Sequence, residues 1–399
     1  MGILILIVSL IFIGVISFYS GRIVEKIKLP ALIGMMIVGM FIGPSFLNIV
    51  PIKVIEISPI IKDTALVIVL FIGGLGISLK QMKQIGRPAI LLSVIPATLE
   101  GLTIAFLCKY LLGFTFIQGA ILGFIIAAVS PAVLVPSMIS LIDKKIGQDK
   151  AIPQMLLVGA SADDTIAITL FTTFLGIYMQ KTGEITSIAS HMILIPITIV
   201  ISIAVGWAIG FISKYLFSKI NNNIIRVIIA LSICLGMRAI ENNFKFEVFN
   251  SLLTVMVYGF FLRVYVEGIA KNILKNMNKL WGFGKLYLFA FVGMAINPKL
   301  VGEFFWIGII LLMCSLTVRS IGVMISLIGT NLTKKEKIFC VIAYLPKATV
   351  QSAKAGIPLQ MGVVGGEIMQ AIAILSVLIT APIGAIGIKI TATKYLNQG

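Results

Sequence analysis

Charge is what this sequence has least of: only 12% of its 399 residues are Asp, Glu, Lys or Arg, about half the share of an ordinary soluble domain. A soluble globular protein of this length is thereby excluded. Long polar stretches are missing as well, so no loop or tail is left to form a second domain. Cysteine is sparse. Cys108, Cys234, Cys314 and Cys340 lie far apart inside apolar segments, a pattern that suggests neither a disulfide framework nor a metal site. No charge precedes the first apolar stretch and no small-residue cleavage site lies before Arg22, so residues 3–19 are expected to form a retained helix rather than a signal peptide.

What the chain does have is apolar length. Hydrophobic residues make up 59% of it, the mean hydropathy is +1.10, and its apolar runs repeatedly reach the about 20 residues that a spanning helix needs. The expected fold is an all-α polytopic membrane protein forming one transmembrane transporter domain over residues 1–399. About thirteen spans are predicted, near 3–19, 31–50, 61–79, 88–112, 115–141, 151–179, 188–216, 224–240, 248–266, 281–298, 303–329, 335–356 and 366–391.

Basic residues sort by side. Of the 32 Lys and Arg, 22 lie in or beside loops that follow odd-numbered spans, among them Arg22, Lys83, Arg87, Lys144, Lys271 and Lys334. Eight lie on the other side, among them Lys53, Lys62, Arg238, Lys299 and Lys354. This bias predicts an outside N-terminus and a cytoplasmic C-terminus in a multi-pass cell-membrane protein. The net charge of +17 is thus a topology signal, with no nucleic-acid partner implied. Arg319 and Lys347 fall on neither side, because both sit near the middle of a span.

An internal match reinforces this schedule. Gly74, Ile77 and Lys80 at the end of span 3 meet Gly293, Ile296 and Lys299 of span 10 at a shift of 219 residues. Nearly the same shift lays spans 1–6 on spans 8–13. Seven spans is an odd number, so the two six-helix halves are expected to be inverted, an architecture of secondary transporters. Repeat one runs over about 1–180, a linker helix over about 188–216 and repeat two over about 224–392. The shift also pairs two helices with a mid-span proline, Pro131 in span 5 and Pro346 in span 12. Each removes a backbone donor and clashes with the preceding turn, and such breaks are tolerated at membrane depth only where they are buried or line a wet cavity. Matched broken helices in two halves point to a transport site.

Five ionisable residues lie at depth: Glu100, Asp163, Asp164, Arg319 and Lys347. Each costs roughly 2.5–3.5 kcal/mol at the bilayer centre on insertion scales, so compensation is required. Glu100 and Arg319 stand 219 residues apart and are expected to pair across the two halves. Asp163 and Asp164 are neighbours on one helix and point about 100° apart. One can therefore look into a cavity while the other faces another helix, with Lys347 as the expected partner. Carboxylates suit sodium, a hard cation, and broken helices expose carbonyls for it. A partly buried carboxylate can also hold a proton at neutral pH. Competition of cation and proton for one group is the chemistry of an antiporter. Ser161, Thr165 and Thr349 lie close enough to supply further oxygens.

The segments Ala127–Met138, Ser161–Ile168, Lys335–Phe339 and Leu345–Gln351 together resemble the NHA branch of the monovalent cation/proton antiporters, as a bacterial-type member. The likeness runs from about Pro30 to Pro382. It implies a homodimer among membrane lipids, with no cofactor beyond the transported sodium or lithium and proton. It also implies an elevator mechanism in which a core of spans 4–6 and 11–13 slides against the remaining helices. Asp164 would be the main ion-binding carboxylate, with Asp163 assisting and Ser130, Val133 and Thr165 nearby. Bacterial relatives with a lysine on span 11 pair it with the first aspartate and exchange electrogenically. Arg319 at that position implies electroneutral exchange here. A sodium-coupled symporter or organic-anion carrier on the same fold is the competing reading. An aspartyl protease is not, because adjacent helical aspartates cannot share a proton across about 3 Å.

Overall fold

The computed structural model describes residues 2–27, 31–77, 79–179, 188–244, 249–295, 302–348, 351 and 354–397. Every regular element among them is an α-helix. The first seven are α1 (Gly2–Lys26), α2 (Ala31–Ile42), α3 (Ile52–Leu75), α4 (Leu79–Leu111), α5 (Phe116–Ala127), α6 (Pro131–Asp143) and α7 (Ile152–Met179). Then follow α8 (Ile188–Lys219), α9 (Asn223–Phe244), α10 (Ser251–Tyr265) and α11 (Glu267–Met294). The chain ends with α12 (Phe305–Ser326), α13 (Lys334–Ala343), a single turn α14 (Ile357–Gln360) and α15 (Gly366–Tyr395).

Eight helical segments among the described residues are long and apolar enough to cross a membrane. Two shorter apolar helices, α2 and α10, accompany them. Others of the thirteen expected spans fall short of that measure for local reasons. The first half of α3 carries Lys53, Glu56, Lys62 and Asp63, and the span over 335–356 is interrupted after Ala343. The tenth span also begins earlier than its apolar run, at Glu267 rather than near 281. Ala270, Ile273, Met277 and Trp281 form a buried stripe at helical spacing, while Lys271, Lys275 and Lys279 occupy the exposed face. That amphipathic stretch extends the helix without lengthening the apolar run.

Both proline-bearing spans are broken in the described structure, and by matching devices. Capping boxes open α5 (Thr115 with Gln118) and α13 (Thr333 with Glu336), each satisfying orphan donors of a first turn. The boxes stand 218 residues apart. α5 stops at Ala127 and the chain runs extended through Ala128 to Ser130. Pro131 then serves as the first residue of α6, where its missing N–H costs nothing. α13 stops at Ala343, and residues 345–348 are irregular.

Close helix contacts also recur at that shift. A Cβ at Gly39 would meet the Ala290 carbonyl oxygen and one at Gly293 the Met36 oxygen, both at 2.0 Å. The counterparts 219 or 220 residues away are Gly259 against Phe71 and Gly74 against Met256. The α2–α11 and α3–α10 crossings are thus built alike, each requiring glycine on both sides so that the backbones can approach. One apolar cluster gathers α4, α5, α7, α12 and α15, and a small one joins α1, α2, α3 and α11.

Candidate functional site

The two breaks cross and hold each other. The Ser130 N–H donates to the Pro346 carbonyl at 2.8 Å, and the Gln351 amide donates to the Ala128 carbonyl at 2.7 Å and the Ile126 carbonyl at 3.3 Å. A side chain of α7 caps the freed backbone at the first break and one of α15 at the second. The Val129 N–H donates to Asp163 Oδ2 at 2.8 Å, and the Lys347 N–H donates to Thr380 Oγ1 at 2.9 Å. Asp163 so placed is an anion at the N-terminal end of α6, where the helix dipole favours negative charge.

The buried charges form one network. Glu100 Oε2 accepts from Arg319 Nη1 and from Lys347 Nζ, both at 2.6 Å, and all three side chains are fully buried. The expected Glu100–Arg319 pair is present, with Lys347 as a third member. Lys347 does not pair with either aspartate, contrary to the expectation from sequence. Its backbone is fixed at the α13 break, and its ammonium lies against Glu100 and, at 3.3 Å, the Ala127 carbonyl. Arg319 takes the role instead, with Nη2 at 3.4 Å from Asp163 Oδ2. It also donates from Nε to the Tyr344 carbonyl at 2.6 Å and from Nη1 to the Ala127 carbonyl. One guanidinium therefore clamps the C-terminal carbonyls of both broken helices, where a cation is favoured.

Asp164 stands apart. No hydrogen bond or ion pair reaches it among the described residues, and its Oδ1 is fully buried. It lines a narrow cleft of about 10 Å³ with Leu70, Pro131, Ser161, Asn250, Leu252 and Leu253. That is about the space one water-sized occupant needs. The cleft lies where α6 and α7 face α3 and the start of α10. Among the described residues two further buried oxygens lack a partner, Ser130 Oγ next to Pro131 and Asp163 Oδ1 next to Asp164. The Val133 carbonyl accepts the Ser137 hydroxyl at 2.7 Å, and the Ser161 hydroxyl donates to the Leu157 carbonyl at 3.0 Å. The Thr165 side chain, Thr349 and Lys299 lie outside the described residues.

Several contributors are absent from the sequence reading. Asn250 caps α10 by accepting the Leu253 N–H at 2.9 Å, and an Asn before an apolar run is a helix-start signal that could have placed it. Gln351 bridges the two breaks from within a motif already noted. Lys354, counted among the basic residues of the outer side, places its ammonium 5.3 Å from the ring centroid of Phe171 on the same helix as Asp164.

A family model described as the transmembrane sodium/hydrogen exchanger matches residues 8–394. The chain belongs to the sodium/hydrogen exchanger family. It is 32% identical to sodium/hydrogen exchanger 9B2 of Homo sapiens, over 96% of this chain and 75% of that protein. It is 30% identical to sodium/hydrogen exchanger 9B1 of Mus musculus, over 96% and 70% respectively. The sodium proton antiporter MjNhaP1 of Methanocaldococcus jannaschii shares the fold at 19% identity, with a TM-score of 0.80 and 99% of both chains covered. This exchanger is accordingly an integral membrane transporter of cations and protons, and not an enzyme.

Proposed function

We propose that this exchanger swaps sodium, or lithium, for protons at Asp164, with Asp163 and Ser130 supplying further oxygens. The observation that carries the reading is the unpartnered Asp164 carboxylate in a cleft between two helix groups. The other buried charges at the crossing compensate one another and leave that carboxylate free. A cation entering the cleft would meet an anion with open lone pairs and no resident salt bridge to break. A proton would meet the same oxygen, so the two exclude each other.

The proposed movement is an elevator. The group containing α4–α7, α12, α13 and α15 carries Asp164 past α3 and α10, in a homodimer within the cell membrane, N-terminus outside and C-terminus cytoplasmic. The recurrence of capping boxes and glycine crossings at one sequence shift supports the inverted-repeat arrangement that such motion uses. The paired Arg319 supports electroneutral exchange, since its charge stays compensated by Glu100 whether or not Asp164 is loaded.

The test is proton flux in proteoliposomes, scanned over sodium, lithium and potassium at several pH values. Asp164→Asn keeps size and hydrogen-bonding capacity but removes the charge and the titratable proton, so exchange should cease. In the wild type, apparent sodium affinity should weaken as pH falls, by up to about tenfold per unit for one shared proton. A sodium affinity independent of pH, or exchange by Asp164→Asn, would place the site elsewhere. Sodium-driven solute uptake without proton flux would favour the symporter.

A further inference from the structure

Lys354 follows the α13 break and is half-buried. Among the described residues no carboxylate lies within ion-pair distance of it, and its Nζ sits 5.3 Å from the Phe171 ring centroid. Phe171 is seven residues beyond Asp164 on α7, so the two side chains share one face of that helix, two turns apart. The ammonium is therefore held over the face of α7 that carries the proposed ion carboxylate, roughly 10 Å along the axis at 1.5 Å per residue.

The charges acting on Lys354 come from three helices. Asp164 of α7 is foremost, then Arg238 and Glu241 of α9 and Asp63 of α3. The last three form a network of their own. Arg238 bridges Asp63 at 3.0 Å and Glu241 at 2.6 Å, and Glu241 accepts the Ser251 hydroxyl and, at 3.3 Å, its N–H. Ser251 adjoins Asn250 in the wall of the Asp164 cleft. With two acids and one base, that network carries one net negative charge. Lys354 thus has two sources of compensation, Asp164 on one side and the Asp63–Arg238–Glu241 group on the other, and is bonded to neither. Its flexible stem and ammonium suit it to shift between them.

We propose that Lys354 is a cation beside the ion cleft, competing through its field with the transported monovalent cation at Asp164 and leaning on the Asp63–Arg238–Glu241 group when that cation is bound. It is a positioning and affinity-setting residue, touching neither cation nor proton. The proposal rests on the reading of Asp164 as the exchange site. A permanent positive charge about two helical turns away weakens cation binding, and removing it strengthens binding. Such weakening favours release, since a carrier that holds its cargo too tightly turns over slowly.

The experiment measures proton flux against sodium concentration in proteoliposomes for Lys354→Gln, Lys354→Met and Lys354→Arg, with thermal unfolding of each in detergent. Lys354→Gln should lower the sodium KM about three- to tenfold and reduce kcat. Lys354→Met, which keeps the aliphatic packing, should do the same. Lys354→Arg should stay within about twofold of wild type, because the charge remains. An unchanged KM in both neutral variants overturns the proposal, as does an arginine variant that behaves like them. A drop in unfolding temperature with KM unchanged identifies a purely structural lysine and also overturns it. Asp164→Asn separates the two readings. If that variant still exchanges, the site assignment fails; if it is inactive while the neutral Lys354 variants keep the wild-type KM, only the role of Lys354 fails.

Discussion

Glu100 is the residue whose loss should cost most stability, and the geometry says by how much more than its partners. A single oxygen, Oε2, accepts from both Arg319 and Lys347 at 2.6 Å in a fully buried setting. Stranding one member of a buried pair costs about 3–5 kcal/mol, mostly because an uncompensated charge remains. Glu100→Gln strands Lys347, whose other acceptor among the described residues is the Ala127 carbonyl at 3.3 Å. Arg319 fares better, keeping Asp163 and the Tyr344 carbonyl. Lys347→Gln strands nothing, since Glu100 retains Arg319, and should cost about 1–2 kcal/mol as a lost charged hydrogen bond. The double variant should recover about 1–3 kcal/mol relative to the sum of the single losses. The assay is SDS-titrated unfolding in mixed micelles for the two singles and the double. Equal costs for Glu100→Gln and Lys347→Gln, or strict additivity, would refute the shared carboxylate.

Asp163→Asn should lower stability as well as rate, because it removes the negative charge that faces Arg319 and the start of α6, even where the Val129 N–H keeps an acceptor. Asp164→Asn should leave the unfolding transition near that of the wild type, in the same titration. Gly293→Ala should destabilise by about 1–3 kcal/mol, its Cβ falling 2.0 Å from the Met36 oxygen. Gly282→Ala on the same helix meets nothing within 4 Å and should be neutral or stabilising. Glu336 both pairs with Lys150 at 2.8 Å and completes the Thr333 capping box. Glu336→Gln, which can keep the cap, should therefore cost less than Glu336→Ala, by about 1 kcal/mol, in thermal unfolding. Cysteines at positions 144 and 334, in a Cys314→Ser background because Cys314 is exposed, should resist impermeant thiol reagents in intact cells. Ready labelling would reverse the topology.

The breaks were legible because proline acts locally: one missing donor fixes where a helix stops, and Pro131 sits where a new one begins. The Glu100–Arg319 pair was legible for a different reason. Its members stand one sequence shift of 219 apart, and a shift one residue shorter relates the two capping boxes. Lys347 was misread because proximity to a break says nothing about which acid across it the side chain reaches. Its backbone bond to Thr380 turns it toward Glu100, a contact 247 residues away. The start of α11 was missed because apolar length, and not periodicity, was taken as the measure of the span. Of the crossing glycines, Gly74 and Gly293 surfaced through the internal match, whereas Gly39 and Gly259 did not, since any glycine-rich apolar helix offers the same letters.

The division of labour between Asp163 and Asp164 follows from their adjacency. Two neighbours on a helix cannot face the same way, so packing one against the crossing obliges the other to face elsewhere. Asp163 is taken by Val129 and Arg319, and Asp164 is left looking across to α3 and α10. Of the five charges at depth, three acids face two bases. Pairing everything would need a third base at the crossing, and none is there among the described residues. The network is therefore short of one positive charge at the carboxylate that borders the cleft, and Lys354, held near Phe171, makes no ion pair with it among the described residues. A membrane protein tolerates such a deficit only if something fills it, because an isolated buried anion is costly. A proton fills it by covalent bonding and a sodium ion by coordination, and both come from solution. In the proposed exchange, that uncompensated charge is what would oblige the protein to take up one cation or the other before each crossing.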